Sequence, residues 1–142
     1  MNVREWLARR KDIHEAFYEE LVGTAGCGPF DGGCVVVAEA LHSVIGGEIV
    51  VLVRSGTDRA DHAAVLLDGK LWDFDGPSTP AVFIRRFERN ELSHKQASCS
   101  GFRPIRDGDL EDACRDPDLR DRLAVLLRDV LHETADQIPS IF

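Results

Sequence analysis

The segment that most constrains the fold is the run CVVVAEALHSVI at 34–45, entered through a glycine-rich stretch and stopped by Gly46-Gly47. Between residues 23 and 33, five of the eleven residues are glycine and one is proline, so that stretch is a loop. The run behind it is apolar all round through its first half. A helix can carry such a surface only if other elements cover it on every side. The pattern therefore predicts a helix over 34–45 buried within the domain, with Gly46 at the position just past its end. The next segment, EIVVLVR at 48–54, is rich in β-branched residues and reads as a strand.

The rest of the chain supplies the cover. Val3, Trp6, Leu7, Ile13, Phe17 and Leu21 recur at helical spacing over 3–22, with charges on the other face. After a polar loop at 55–61 comes HAAVLLDGKLWDFD (62–75), where Asp68-Gly69 is a two-residue hairpin signal. GPSTP at 76–80 reads as a loop. Ser78 or Thr79 caps a short helix begun by Pro80, with Phe83 and Phe87 on its inner face; strand is the alternative there. Residues 93–106 are weakly determined, with a strand around 101–105. Asp116-Pro117 opens a last helix to about Glu133 that buries Leu119, Leu123, Leu126, Leu127, Val130 and Leu131. The tail to Phe142 reads as loose. The expectation is an α+β domain over 1–142, with the cysteine-bearing helix packed on an antiparallel sheet of at least three strands and helices at both ends.

Composition enters mainly by exclusion. Lys+Arg is 17 against Asp+Glu 25, a net charge of −8. Such a chain lacks the basic footprint of a nucleic-acid binder, and an anionic membrane surface would repel it. No apolar run reaches the roughly 18–20 residues needed to span a bilayer. The start, MNVREWLARRKDIHEAFYEE, has no signal-peptide core, so the expected compartment is the cytoplasm. Cys27, Cys34, Cys99 and Cys114 form no C-x-x-C pair and no zinc spacing, and no phosphate loop or dinucleotide fingerprint occurs. No metal and no cofactor are expected, and the thiols are expected to be reduced.

Two segments carry chemistry. Cys34 follows a flexible loop, Asp31-Gly32-Gly33, and opens the buried helix. Unpaired N–H groups and the positive end of the helix dipole favour a thiolate there, and the thiolate is the nucleophile. The same N–H groups suit an oxyanion, and Gly32 and Gly33 leave room for a substrate. Taken alone, Cys34 is a small buried hydrophobe. The hairpin adds the partners. Counting outward from Asp68-Gly69 sets Leu67 opposite Lys70, Val65 opposite Trp72 and His62 opposite Asp75, with Asp73 one diagonal step away on the same face. Ala63, Val65, Leu67, Trp72 and Phe74 collect on the other face. A His–carboxylate pair near such a cysteine has a division of labour. His62 takes the thiol proton and returns it to the leaving group, while Asp75, or alternatively Asp73, holds the ring.

The run GGCVVVAEALHSVIGG followed by a strand and DHAAVLLDGKLWDFDG resembles the papain-like superfamily of cysteine hydrolases and acyltransferases, most closely its transglutaminase-like branch. The resemblance covers about residues 30–76. It implies a papain-like fold, a peptide or protein substrate, and a triad of Cys34, His62 and Asp75, with Asp73 as alternate third member. The alternative is a catalytically silent binding module of the same fold that holds a peptide or a protein partner. A redox pair of Cys27 and Cys34 is a third reading. His42 lies eight residues into the helix, roughly 12 Å along its axis from Cys34, too far to serve it. His14 and His132 fall on amphipathic helices as surface or boundary residues, and His94 is an alternative base in a loop. Arg85, Arg86 and Arg89 form a basic cluster that either receives an acidic group or is a solvated face. The oligomeric state is left open.

Overall fold

The apolar run is enclosed on every side, as its composition demands. The computed structural model describes the backbone of residues 3–137 and the side chains of residues 5, 6 and 12–131. Helix α1 spans Val3–Ala25 and α2 spans Cys34–Ile45. Five strands follow: β1 (Glu48–Arg54), β2 (Ala60–Leu67), β3 (Lys70–Asp73), β4 (Gly76–Ser78) and, after helix α3 (Pro80–Phe87), β5 (Cys99–Pro104). Helix α4 (Pro117–Gln137) closes the described chain. The side chains of Val3, Leu7 and His132 and the tail to Phe142 lie outside the described residues.

The strands form one antiparallel sheet in the order β4-β3-β2-β1-β5. One face packs against α1, α2 and α4. There Val36, Val37, Ala40 and Leu41 of α2 meet Val51, Ala63 and Val65 of the sheet, with Leu21, Leu119 and Leu123 closing the outer side. The opposite face carries Val50, Leu52, Ala64 and Leu71 under Phe83 and Phe87 of α3 and Leu92. Burying each of those phenylalanines is worth roughly 1.5–3 kcal/mol, so α3 is held mainly by this inner edge. Its Thr79 makes no side-chain cap bond, whereas Asp116 caps α4 through the N–H groups of Asp118 and Leu119.

The expected elements are present, with two corrections. Residues 76–78, read as loop, are strand β4 and pair with β3 (Asp73 with Gly76, Trp72 with Pro77, Leu71 with Ser78). The hairpin through Asp68-Gly69 keeps its counted register, Leu67 with Lys70 and Val65 with Trp72, but β3 stops at Asp73 instead of running to Asp75. The cause is Asp73 itself. Its Oδ1 accepts the Asp75 N–H at 2.8 Å, an Asx turn that swings the chain back at Phe74-Asp75. Gly76 completes the corner at φ 87, where a Cβ would run into the Trp6 ring.

Candidate active site

Two irregularities in the sheet prepare the site. The β1–β2 register steps from Leu52–His62 to Val53–Ala60, leaving Asp61 as an extra, bulged residue just before His62. Such bulges bend a strand and re-aim its side chains. Asp61 is fixed by Arg54 Nε and Nη2, each at 3.0 Å. On the other side of β2, pairing to β3 covers only Val65–Leu67, so the sheet is open beside His62 and Ala63. The mouth of α2 fills that opening.

There Cys34, His62 and Asp73 stand in line. Their exposures are 6%, 1% and 4%. His62 Nε2 lies 2.8 Å from Asp73 Oδ2, and the Cys34 thiol stands beside the same ring, near enough for each to shift the other's proton affinity. Nε2 is taken by Asp73. Nδ1 is buried and has no hydrogen-bond partner, which leaves it free for the thiol proton. The backbone N–H groups of Ala63 and of Cys34 itself also lie near the sulfur and favour its charged form.

Burial pushes the Cys34 thiol up, but His62, by hydrogen bond and by charge, and the two N–H groups outweigh it and hold the thiol below its ordinary value. Burial works against protonated His62 too. The bonds and charges of Asp73 and Cys34 overcome it and push the imidazole up to about 10. Both shifts favour a thiolate beside an imidazolium.

Taking such charges out of water costs on the order of several kcal/mol per ion unless each is bonded on its remaining sides. The surroundings do this. Asp73 Oδ1 holds the Asp75 N–H, and Arg86 Nη2 approaches it at 4.0 Å. Arg86 is braced in turn by Ser78 Oγ at 2.8 Å and by the Phe83 ring under its guanidinium at 5.3 Å. The imidazole is stacked between Phe30 at 5.1 Å and Phe87 at 4.9 Å, with Phe83 at 6.2 Å, so water has no route to its faces.

Asp73, the diagonal carboxylate, is the one that meets His62. Asp75, the counted opposite, sits beyond the turn with its Oδ2 3.9 Å from Arg86 Nε. Because the hairpin ends at Asp73, the pairing that would have set Asp75 against His62 does not form. The glycine loop also has a structural task besides the expected one. The Gly33 N–H is spent on the Gly28 carbonyl at 2.8 Å, and a Cβ on Gly33 would meet that carbonyl at 2.7 Å. Gly32 holds φ 136, and its Cβ position lies 3.0 Å from the Cys27 sulfur. Both glycines are needed to bring the chain tightly into α2. Asp31 fixes the loop by accepting the Gly28 N–H.

Cys34 opens onto a cleft of about 600 Å³ between the 30–34 segment, residues 58–61 and residues 108–113. Burial, together with the charges of Cys114, Asp31 and Cys34, pushes the Cys27 thiol up. His42 and His94 are exposed, and the His14 ring packs 4.0 Å from that of Phe74. Arg85 and Arg89 are exposed, while Arg86 turns inward to the site. The phenylalanine stack and Arg86 are what sequence reasoning missed. The recurrence of Phe83, Arg86 and Phe87 on one helical face was the available signal. Among the described residues, no group of His, Cys, Asp and Glu could hold a metal ion, and no helix is long and apolar enough to cross a membrane. No family model, no curated protein and no solved structure matches this chain.

Proposed function

We propose that this protein is a thiol-dependent hydrolase or acyltransferase of the papain-like kind, acting on a peptide, amide or isopeptide bond through an acyl-enzyme intermediate. One observation carries the reading: a single buried imidazole bonds a carboxylate through one nitrogen and leaves the other to a thiol whose proton affinity is lowered. A packed structural cysteine has no use for that arrangement, since burial alone would raise it.

With the Cys34 proton already on His62 Nδ1, the sulfur attacks the carbonyl carbon to form a C–S bond. The backbone N–H groups of Cys34 and Ala63, which lie near the sulfur, supply the donors for the oxygen that gains charge. The C–N bond breaks and His62 protonates the departing amine. Water or a second amine then attacks the thioester, giving its proton to His62, and the thiol leaves with that proton returned. Asp73 stays ionised and holds the ring in the tautomer that keeps Nδ1 free to accept.

The test is acylation of Cys34 by a neutral activated ester, p-nitrophenyl acetate. Expected is a burst of about one equivalent of p-nitrophenol, an acetyl group on Cys34 by peptide mass spectrometry, and loss of both in His62→Ala. If Cys34 is alkylated by iodoacetamide yet never acylated, the silent binding module replaces the enzyme.

A further inference from the structure

The walls of the cleft are charged unevenly. Six carboxylates line it, against one arginine, Arg59. Three of the six are matched. Asp61 is held by Arg54 at 3.0 Å and by Arg59 at 3.6 Å; Asp109 by Arg103 at 2.7 Å; Asp58 by Arg103 at 3.0 Å and Arg106 at 2.8 Å. Arg54, Arg59, Arg103 and Arg106 are used in these contacts, and Arg115 donates to the backbone carbonyls of Asp109, Leu110 and Ala113. Among the described residues, Asp31, Glu111 and Asp112 form no ion pair; all three are exposed and line the same cleft as Cys34. Carboxylates alone would be a solvated rim. Here the rim surrounds a more than nine-tenths buried thiol with its own base, in a cleft of the volume that takes a ligand.

We propose that the substrate carries a cationic group next to the acyl carbon that Cys34 attacks, the ammonium or guanidinium of a lysine- or arginine-bearing peptide, received by Asp31, Glu111 and Asp112. The proposal rests on the thiol-enzyme reading and specifies its substrate class. A cleft lined by one sign of charge, with low-dielectric walls, concentrates ligands of the other sign. A lysine or arginine side chain suits it better than a point ion, because its stem can lie on Phe30 and Leu110 while its head stays at the wet rim.

The field at the sulfur can be read without any turnover. Cys34 is modified with three methanethiosulfonates, 2-aminoethyl (cationic), methyl (neutral) and 2-sulfonatoethyl (anionic), with site-resolved mass spectrometry and rates scaled to those of glutathione. At low salt the cationic reagent should outrun the anionic one by about 30-fold. The ratio should fall to about threefold in Asp31→Asn/Glu111→Gln/Asp112→Asn, and fall likewise in 0.5 M salt, where the screening length is only a few ångströms (about 4 Å). Neutralising Glu15, Glu48 and Asp68, exposed carboxylates outside the cleft, should leave it within about twofold. In the acylation arm, a lysine p-nitrophenyl ester should acylate Cys34 faster than the norleucine ester of equal length, and the triple variant should erase the difference.

A cationic-to-anionic ratio near one, or one that the triple variant leaves unchanged, overturns the proposal. So does equal acylation by the two esters. Fast reaction with the neutral reagent and the norleucine ester beside a flat charge ratio would sink the substrate class alone. Failure of every ester would sink the enzyme reading instead.

Discussion

Cys34 and Cys99 are the same side chain under opposite instructions. Cys34 is the more deeply buried of the two, yet its thiol is held below the ordinary value, while that of Cys99 is pushed up to about 11. Burial raises both. At Cys99, which opens β5, the nearby charges of Asp61 and Glu88 add to burial, and Arg54 only partly opposes them. At Cys34 the neighbours are an imidazole kept protonated by Asp73 and two backbone N–H groups, and they reverse the sign. Depth therefore does not make a cysteine inert or reactive; the charge standing beside the sulfur does.

The contrast can be broken outright. In iodoacetamide at pH 6.5, Cys34 should be alkylated about 100-fold faster than Cys99, because only the thiolate reacts. His62→Ala should bring the two within a few-fold, since burial then acts on Cys34 with little to oppose it. A ratio that survives His62→Ala would put the cause at the helix mouth and not at the ring. Asp73→Asn should lose about 20-fold of the wild-type ratio, as the ring keeps an amide partner but loses the charge that holds its proton. The asparagine keeps an oxygen for the Asp75 N–H, so the turn should survive. Asp75→Asn should change the ratio by less than about twofold, because at 27% side-chain exposure its charge acts on Arg86 largely through solvent. If the two effects are exchanged, Asp75 is the brace and Asp73 is not.

The fold was largely written in local patterns. The buried helix and β1 follow from runs whose composition admits one structure, and the register of β2 with β3 follows from Asp68-Gly69. Where counting failed, a second local signal had been overlooked. Asp73-Phe74-Asp75-Gly76 is as much a turn sequence as Asp68-Gly69, with an Asx residue to cap it and a glycine at positive φ. Continuing the count through it carried the carboxylate assignment two residues too far. The Phe30–His62–Phe87 stack and the acidic wall at 108–112 were not legible at all. They join segments tens of residues apart, and only tertiary packing brings those together. Long-range cover of this kind has no spacing to read.

The smallest effect concerns pH and stability, and its sign separates a proton that moves from one that is lost. His62 carries its proton to about 10 in the folded protein, against 6.5 ordinarily, so its contribution is complete below pH 6.5 and drains away as pH rises to about 10. Cys34 is lowered from 9.0, so its contribution is complete above pH 9 and drains away as pH falls. Between pH 6.5 and 9, wherever Cys34 has given up its proton in the folded protein, the folded pair holds one proton, on His62, and the unfolded chain also holds one, on Cys34. The two slopes cancel there. Cys34→Ser removes one slope only. Its stability should fall across this window relative to wild type, by at most about 1.4 kcal/mol per pH unit. Urea titrations at pH 6.5, 7.5 and 8.5 measure the difference, and the other histidines and cysteines, common to both proteins, drop out. A wild-type minus Cys34→Ser difference that widens with pH means the proton is shared by sulfur and ring. Parallel curves would mean that Cys34 stays a thiol and that the inversion against Cys99 does not exist.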